Sequence, residues 1–233
     1  MRKLKKWIAP RLLGLGNSRL CALCGWTGIF FMPDGEADKK RFDARCPTCG
    51  AVERHRLAFH VLMNELDLKD PVTLHVAPEK AITPHLKKIS KDYLSVDLYS
   101  AAMRKMDVTH LELDDNSFTF IWCSHVLEHV PDDAKAISEL FRVCAPGGQV
   151  LLQVPIWRTA THEDWSITTP EGRVEHFYQT DHVRLYGHDF QDRLEHAGFS
   201  VKVYRAHDYG PKTVVHQGMQ FLSTNEVFIA TKP

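Results

Sequence analysis

The sequence lacks any run of about 18 apolar residues, which excludes a membrane-spanning helix. It also lacks the internal repeats, collagen-like periodicity and low-complexity tracts of fibrous or disordered chains. No apolar h-region of a secretory signal stands near the N-terminus. Net charge is absent too, with 29 Lys+Arg against 29 Asp+Glu. The first 33 residues, however, contain no acid and six basic side chains: Arg2, Lys3, Lys5, Lys6, Arg11 and Arg19. Neutrality is therefore a sum over a basic N-terminal region and an acidic remainder, and it does not argue against a polyanionic partner at the N-terminal end. What is present is ordinary in bulk: 233 residues, 44% hydrophobic and 25% charged. That length suits one full-sized domain plus a small appendage, or two small domains. It buries about 70% of the unfolded surface without disulfides. The 14 histidines stand out.

Four of the six cysteines form two tight pairs, Cys21-Ala22-Leu23-Cys24 and Cys46-Pro47-Thr48-Cys49, each followed by a glycine. Each pair is a knuckle that points two thiolates at one place, and two knuckles make a closed tetrahedral Zn2+ site. Structural zinc on Cys21, Cys24, Cys46 and Cys49 is the expectation. Cys123 and Cys144 stand alone in apolar surroundings and read as buried, inert thiols. Reduced thiols and the missing export signal together point to the cytoplasm.

Along the chain, residues 2–13 place Leu4, Trp7, Ile8 and Leu12 on one helical face among basic residues, so residues 1–19 read as a basic amphipathic arm. Residues 20–50 form the ribbon, with a strand expected at Gly28–Met32 and a charged loop at Pro33–Arg41. Residues 51–70 read as a connecting helix, with Arg54, His55 and Arg56 at its start as a solvated or contact face. From residue 71 to 233, apolar runs alternate with helical patterns: strands at Val72–Ala77, Tyr93–Val96, Phe118–Cys123, Gln149–Val154, Phe199–Tyr204 and Glu226–Thr231, helices at Pro84–Lys91, Asp132–Cys144 and Asp189–Ala197. Pro146-Gly147-Gly148 reads as a turn. This alternation predicts a parallel, doubly wound α/β sheet. Pro155–His188 shows no clear pattern and reads as a lid or substrate loop.

Ligands of such sheets sit beyond the carboxyl ends of the strands, at the switch point. The residues there are Ala77, Pro78 and Glu79 after the first strand, Asp97 after the second, Asp107 and Val108 further on, and Ser124 and His125 after the fourth. An acid about 20 residues after the first turn is placed to accept both hydroxyls of a ribose, so a nucleoside-containing cofactor fits.

The segment Val96–Val154 resembles the class I S-adenosylmethionine-dependent methyltransferases of the type 11 kind. The likeness lies in Ser95-Val96-Asp97-Leu98, Met106-Asp107-Val108-Thr109 and Ser124-His125-Val126-Leu127-Glu128-His129-Val130, followed by Arg142-Val143-Cys144-Ala145-Pro146-Gly147-Gly148. The resemblance implies a Rossmann-like, mostly parallel seven-stranded sheet with a reversed last strand, and S-adenosyl-L-methionine as cofactor. By the same analogy Asp97 binds the ribose, Asp107 and Val108 the adenine, and Ala77, Glu79 and Ser124 line the cofactor, while His125 lines the methyl-transfer side. Two departures accompany it. The first loop, His75-Val76-Ala77-Pro78-Glu79-Lys80-Ala81, has none of the family's glycines, and Thr119 stands where an Asp often follows Ser-Phe.

A protonated acceptor needs a base, and histidine titrates near working pH. His125, His129 and His182 are the candidates, with His125 and His182 carried as catalytic. Tyr178, Asp181, Arg184 and Tyr186 crowd the long loop as a substrate wall, Arg184 suited to a carboxylate or phosphate. His125, Glu128 and His129 also admit a metal reading by their spacing, set aside because HExxH order is absent. The expected partner is a small-molecule acceptor, with RNA docked by the basic arm and ribbon as the rival and a catalytically inactive binding module as a third reading.

Overall fold

The computed structural model describes residues 18–35, 40–99, 102–220, 223 and 225–233, which divide into two compact units. One gathers the chain up to residue 66 with 80–85 and 205–225; the other holds 67–79, 86–204 and 226–233. Residues 205–225 therefore group with the cysteine-bearing unit and not with the α/β body in which the sequence had placed them. The amphipathic arm expected at 1–19 lies, up to residue 17, outside the described residues.

In the first unit β1 (Arg19–Leu20) and β2 (Thr27–Gly28) pair antiparallel, as do β3 (Met32–Asp34) and β4 (Arg41–Arg45). The strand expected at Gly28–Met32 is thus broken. Phe31 turns fully inward against Trp26, ring centroids 5.2 Å apart, while Ile29 and Phe30 stay half exposed. The charged loop after it is in part the β3–β4 hairpin. The helix α1 (Glu53–Glu65) forms where its pattern predicts, opened by the Val52 N–H donating to His55 Nδ1 at 3.1 Å.

Arg56 is not the solvated or contact side chain its sequence context suggests. It is fully buried, stacked 4.0 Å from the Phe31 ring centroid. Its guanidinium donates to the carbonyls of Ala51 (2.7 Å), Ala44 (2.8 Å) and Gly218 (2.7 and 3.1 Å). Five donors in a fixed planar fork are what three diverging carbonyls require, and a lysine's point charge does not match them. This contact explains why residues near Gly218, 162 positions away, belong to this unit.

The second unit is built on a seven-stranded sheet. Its strands are β5 (Val72–Val76), β6 (Asp92–Asp97), β7 (Arg104–Lys105), β8 (Phe118–Ser124), β9 (Cys144–Gln153), β13 (Ser200–Arg205) and β14 (Glu226–Thr231). The order is β13-β14-β9-β8-β5-β6-β7. Pairs β5/β6, β5/β8, β6/β7 and β8/β9 are parallel, and β14 runs antiparallel to β9. This is the expected α/β sheet with its reversed strand. Successive strands are added on one side of β5 (β6, β7) and then on the other (β8, β9), which places the switch point between β5 and β8. Helices α2 (Thr83–Ile89) and α3 (Asp133–Val143) follow β5 and precede β9. Asp132 caps α3 through Lys135 N–H at 3.0 Å.

Two local expectations are corrected. Pro146-Gly147-Gly148 lies within β9 and not in a turn. The β8–β9 register shifts there, and Gly147 N–H and Gly148 C=O pair with Lys232 at 2.8 and 3.0 Å. Gly147, at φ 72°, is the residue type that accepts such a bulge. Second, residues 155–188 are structured: β10 (Ile156–Arg158), β11 (His162–Glu163), α4 (Pro170–Phe177) and β12 (Arg184–Gly187), with the strands in a small sheet ordered β10-β12-β11. The helix α5 (Phe190–His196) follows. Cys123 and Cys144 are buried in the core, and burial pushes the Cys144 thiol up to about 11, as expected for inert thiols. No helix of the described residues is long and apolar enough to cross a membrane.

His75, on β5, is fully buried. Its Nδ1 lies 2.9 Å from the Tyr93 hydroxyl, and its Nε2 accepts the Glu79 N–H at 3.4 Å. Burial lowers its pKa to about 4, against the opposing charge of Glu79. The folded state thus keeps His75 neutral where the unfolded chain, at about 6.5, takes up a proton. Its contribution is complete above about pH 6.5 and falls as pH drops toward 4, by about 3 kcal/mol in total. Urea midpoints measured from pH 7 to 4.5 should fall less steeply in His75→Gln than in wild type; parallel profiles would refute this. For the first unit, Arg56→Lys should cost about 2 kcal/mol, roughly 4–8 °C in Tm, read by calorimetry.

Candidate functional site

The four paired cysteines converge in the first unit. All are free thiols whose sulfurs lie within 4.8 Å of one another, with Cys21–Cys49 and Cys24–Cys46 both at 3.6 Å. A disulfide needs about 2.05 Å. A tetrahedral zinc with bonds of about 2.3 Å spaces its sulfurs about 3.8 Å apart, which these distances match. The local chain makes the geometry twice over. Gly25 N–H donates to Cys21 C=O (2.8 Å) and Gly50 N–H to Cys46 C=O (3.0 Å), each glycine at a left-handed φ (72° and 76°). Hydrogen bonds among the sulfurs, then burial, push the Cys21 thiol up, while the hydrogen bonds from Cys21 and Cys49 hold Cys46 down against its burial. A soft divalent cation is the group that lets all four ionise, and the residues fit zinc.

In the second unit, two non-glycine residues adopt left-handed backbone directly after the strands that flank the switch point: Ala77 (φ 50°) after β5 and His125 (φ 55°) after β8. Such conformations cost about 1 kcal/mol or more and gather at functional sites. Ala77 N–H donates to Val96 C=O at 2.8 Å. Glu79 receives the Trp122 indole N–H at 3.0 Å. Asp97, at the end of β6, uses Oδ1 to accept the Tyr99 N–H at 2.6 Å. Asp107 is exposed and holds the Thr109 N–H and hydroxyl, both at 2.8 Å, while Val108 beside it is buried. Ser124 is buried, its hydroxyl 3.4 Å from Gln153 Oε1.

His125 presents Nδ1 to Glu128 Oε1 at 3.0 Å, and its Nε2 is buried without a partner. Glu128 is 1% exposed. Burial pushes its carboxyl up, but the charge and hydrogen bond of His125, reinforced by His129, outweigh this and hold it below the ordinary carboxylate range. His129 Nδ1 lies 3.2 Å from Asp181 Oδ2, and its ring meets His182 edge-on at 4.7 Å. His182 is buried with Nδ1 at 3.1 Å from Phe177 C=O, and burial lowers its pKa.

The substrate wall read from the sequence is corrected at two of its four members. Arg184 is 1% exposed and fully engaged. It donates to Glu163 (2.6 Å), Leu127 C=O (2.8 Å), Val130 C=O and Pro131 C=O (2.8 Å). Tyr186 is fully buried, its hydroxyl 2.6 Å from Asp133 Oδ2. Both tie β12 to the turn after β8. Tyr178 and Asp181 remain exposed, Tyr178 against Trp157 with centroids 4.9 Å apart. Sequence reasoning missed Trp157 and Phe177, which belong to no spaced motif.

Residues 76–152 match a family model described as a methyltransferase domain, a stretch that begins at the last residue of β5 and ends one short of the end of β9. Over that stretch the chain is similar to methyltransferase domains. Tocopherol O-methyltransferase of Arabidopsis thaliana is 35% identical over 54 residues, 23% of this chain and 16% of that protein, so the chain spans only a small part of that relative's length. Among solved structures, an S-adenosylmethionine-dependent methyltransferase of Mesorhizobium loti is similar at TM-score 0.56 and 11% identity, covering 75% of this chain and 96% of that one. Phosphoethanolamine N-methyltransferase 2 of Haemonchus contortus, in complex with phosphomonomethylethanolamine and S-adenosylhomocysteine, is similar at 0.54 and 15%, covering 76% and 52%. These structural likenesses establish the fold alone. The sheet-end residues Asp97, Asp107, Val108 and His125 all lie inside the matched segment.

For the cysteine cluster, Cys46→Ser should remove one zinc per chain in elemental analysis. The loss of folding free energy is on the order of 10 kcal/mol, so the first unit should become protease-sensitive while the α/β unit stays protected.

Proposed function

We propose that this protein is an S-adenosyl-L-methionine-dependent methyltransferase acting on a small-molecule acceptor, with zinc in a structural role only. The observation that carries the reading is the pair of strained residues, Ala77 and His125, on the two sides of the switch point inside the segment similar to methyltransferase domains. The donor set there fits the cofactor. Asp97 ends β6 with a carboxylate suited to the ribose hydroxyls, Val108 offers a buried apolar surface beside Asp107 for the adenine, and Glu79 supplies a negative charge for a cationic group. Ala77 in its left-handed conformation does what a glycine would do at this position, bringing backbone close with only a methyl side chain.

When bound, the cofactor supplies a methyl group on a positively charged sulfur. This chain's residues orient the acceptor and take its proton. His125 is the proposed base at Nε2, since Nδ1 is turned to Glu128, which fixes the tautomer and stabilises the charged ring. His182 is left out of that role because its Nδ1 faces the Phe177 carbonyl and its ring is enclosed. Trp157 and Tyr178 supply exposed aromatic surface for an acceptor with an apolar body.

Titration calorimetry with S-adenosylmethionine tests the reading. Wild type should bind at micromolar concentration. Asp97→Ala should weaken binding at least 100-fold, a loss of about 2.7 kcal/mol. No heat at millimolar cofactor would sink the enzyme claim, and wild-type affinity in Asp97→Ala would remove the ribose assignment.

A further inference from the structure

Glu128, His129 and His182 converge although they come from separate parts of the chain. Glu128 and His129 lie in the short 3-10 turn Leu127–His129 after β8. His182 stands two residues before β12, in a segment docked by the Val183 N–H donating to Glu128 C=O at 2.9 Å. Each offers one ligand atom, and the three atoms lie within 4.8 Å of one another.

The surrounding contacts determine which atom each side chain presents. His129 Nδ1 faces the Asp181 carboxylate and His182 Nδ1 faces the Phe177 carbonyl. Both partners only accept, so each ring carries its proton on Nδ1 and keeps a lone pair on Nε2. Glu128 uses Oε1 for His125, while its Oε2 is buried and without any hydrogen-bond partner. An orphaned carboxylate oxygen on a residue 1% exposed carries an unmet desolvation penalty. Two imidazoles oriented by a carboxylate and a carbonyl, beside a carboxylate oxygen in need of a cation, reproduce the outer contacts of metal-bound histidines.

We propose that Glu128, His129 and His182 bind one divalent first-row transition metal, through two imidazole nitrogens and one carboxylate oxygen. This site is distinct from the four-cysteine cluster in ligands and in purpose. Two nitrogens with one oxygen suit zinc and its neighbours in the series, whereas magnesium and calcium require oxygen sets. Three protein ligands leave a position open, the mark of a site that meets a substrate and not of a closed structural one. The occupant of that position is a hydroxyl, carboxylate or thiol of the acceptor; this last assignment rests on the methyl-transfer reading, and metal binding itself does not.

The full chain is equilibrated with excess Zn2+, desalted and assayed for zinc per chain, with circular dichroism as the check on folding. Glu128→Gln and His182→Gln should each hold one zinc fewer than wild type with unchanged dichroism. Because both residues are buried, the half-exposed His129→Ala serves as the second variant and should also lose one zinc per chain. Equal zinc in wild type and a folded His129→Ala would overturn the proposal. Cobalt(II) offered to wild type that holds a single zinc per chain, on its cysteines, should give visible d–d absorption without a thiolate charge-transfer band, and absence of that absorption would equally overturn it. Calorimetry with S-adenosylmethionine on the same preparations separates the two claims, since cofactor binding without the extra metal leaves the methyltransferase reading standing, and the converse leaves the metal site standing.

Discussion

The geometry of the α/β unit's site rests on one buried cation. Arg184 sits almost wholly out of water on β12 and directs its guanidinium at Glu163 and at three carbonyls between Leu127 and Pro131. Those carbonyls belong to the turn after β8 and the chain leaving it, where backbone acceptors have no ladder partner. The guanidinium supplies donors to the Val130 and Pro131 carbonyls and adds to Leu127 C=O, which also accepts from the Val130 N–H and the Tyr186 hydroxyl. The same contacts bring the segment before β12 against that turn, so that His182 reaches Glu128 and His129. Tyr186 on Asp133, with Arg193 on the same carboxylate at 2.9 Å, anchors the other end.

Strain appears where the chemistry is placed. Ala77 and His125 pay for left-handed backbone at the ends of adjacent strands, and the parallel β5–β8 ladder beside them holds both in place. The missing glycines of the first loop alter the residue and leave the conformation, because the Ala77 N–H is pulled onto Val96 C=O. Beneath this loop lies a neutral buried histidine, His75, which takes the Glu79 N–H. The loop that shapes the cofactor side is thus held from below by a group that is easily disturbed by acid.

Much of this was legible in the residues. The cysteine knuckles, the apolar strands of the main sheet, helices α1, α3 and α5, and the acid ending β6 are local features, set by spacing, periodicity and caps over a few residues. What was misread shares one property. Arg56, Arg184 and Tyr186 are polar side chains that each have at least one partner 53–162 residues away in sequence. Composition marks such residues as solvent-facing, and only their distant carbonyl or carboxylate partners make burial affordable. The Pro146-Gly147-Gly148 segment was misread for the same reason: Lys232, near the end of the chain, draws it into β9.

By itself, then, the sequence determined a four-cysteine cluster and a mostly parallel α/β sheet carrying a methyltransferase motif, because ligand spacing and hydrophobic period act over short stretches of chain. The tertiary structure alone decided which polar residues are structural and which converge. Spacing within Ser124–Val130 pairs His125 with His129, whereas the folded chain sets His182 beside Glu128 and His129 and turns His125 to the far oxygen of the same carboxylate. That choice depends on where β12 docks, and docking is a matter of long-range hydrogen bonds to buried carbonyls that no local pattern encodes.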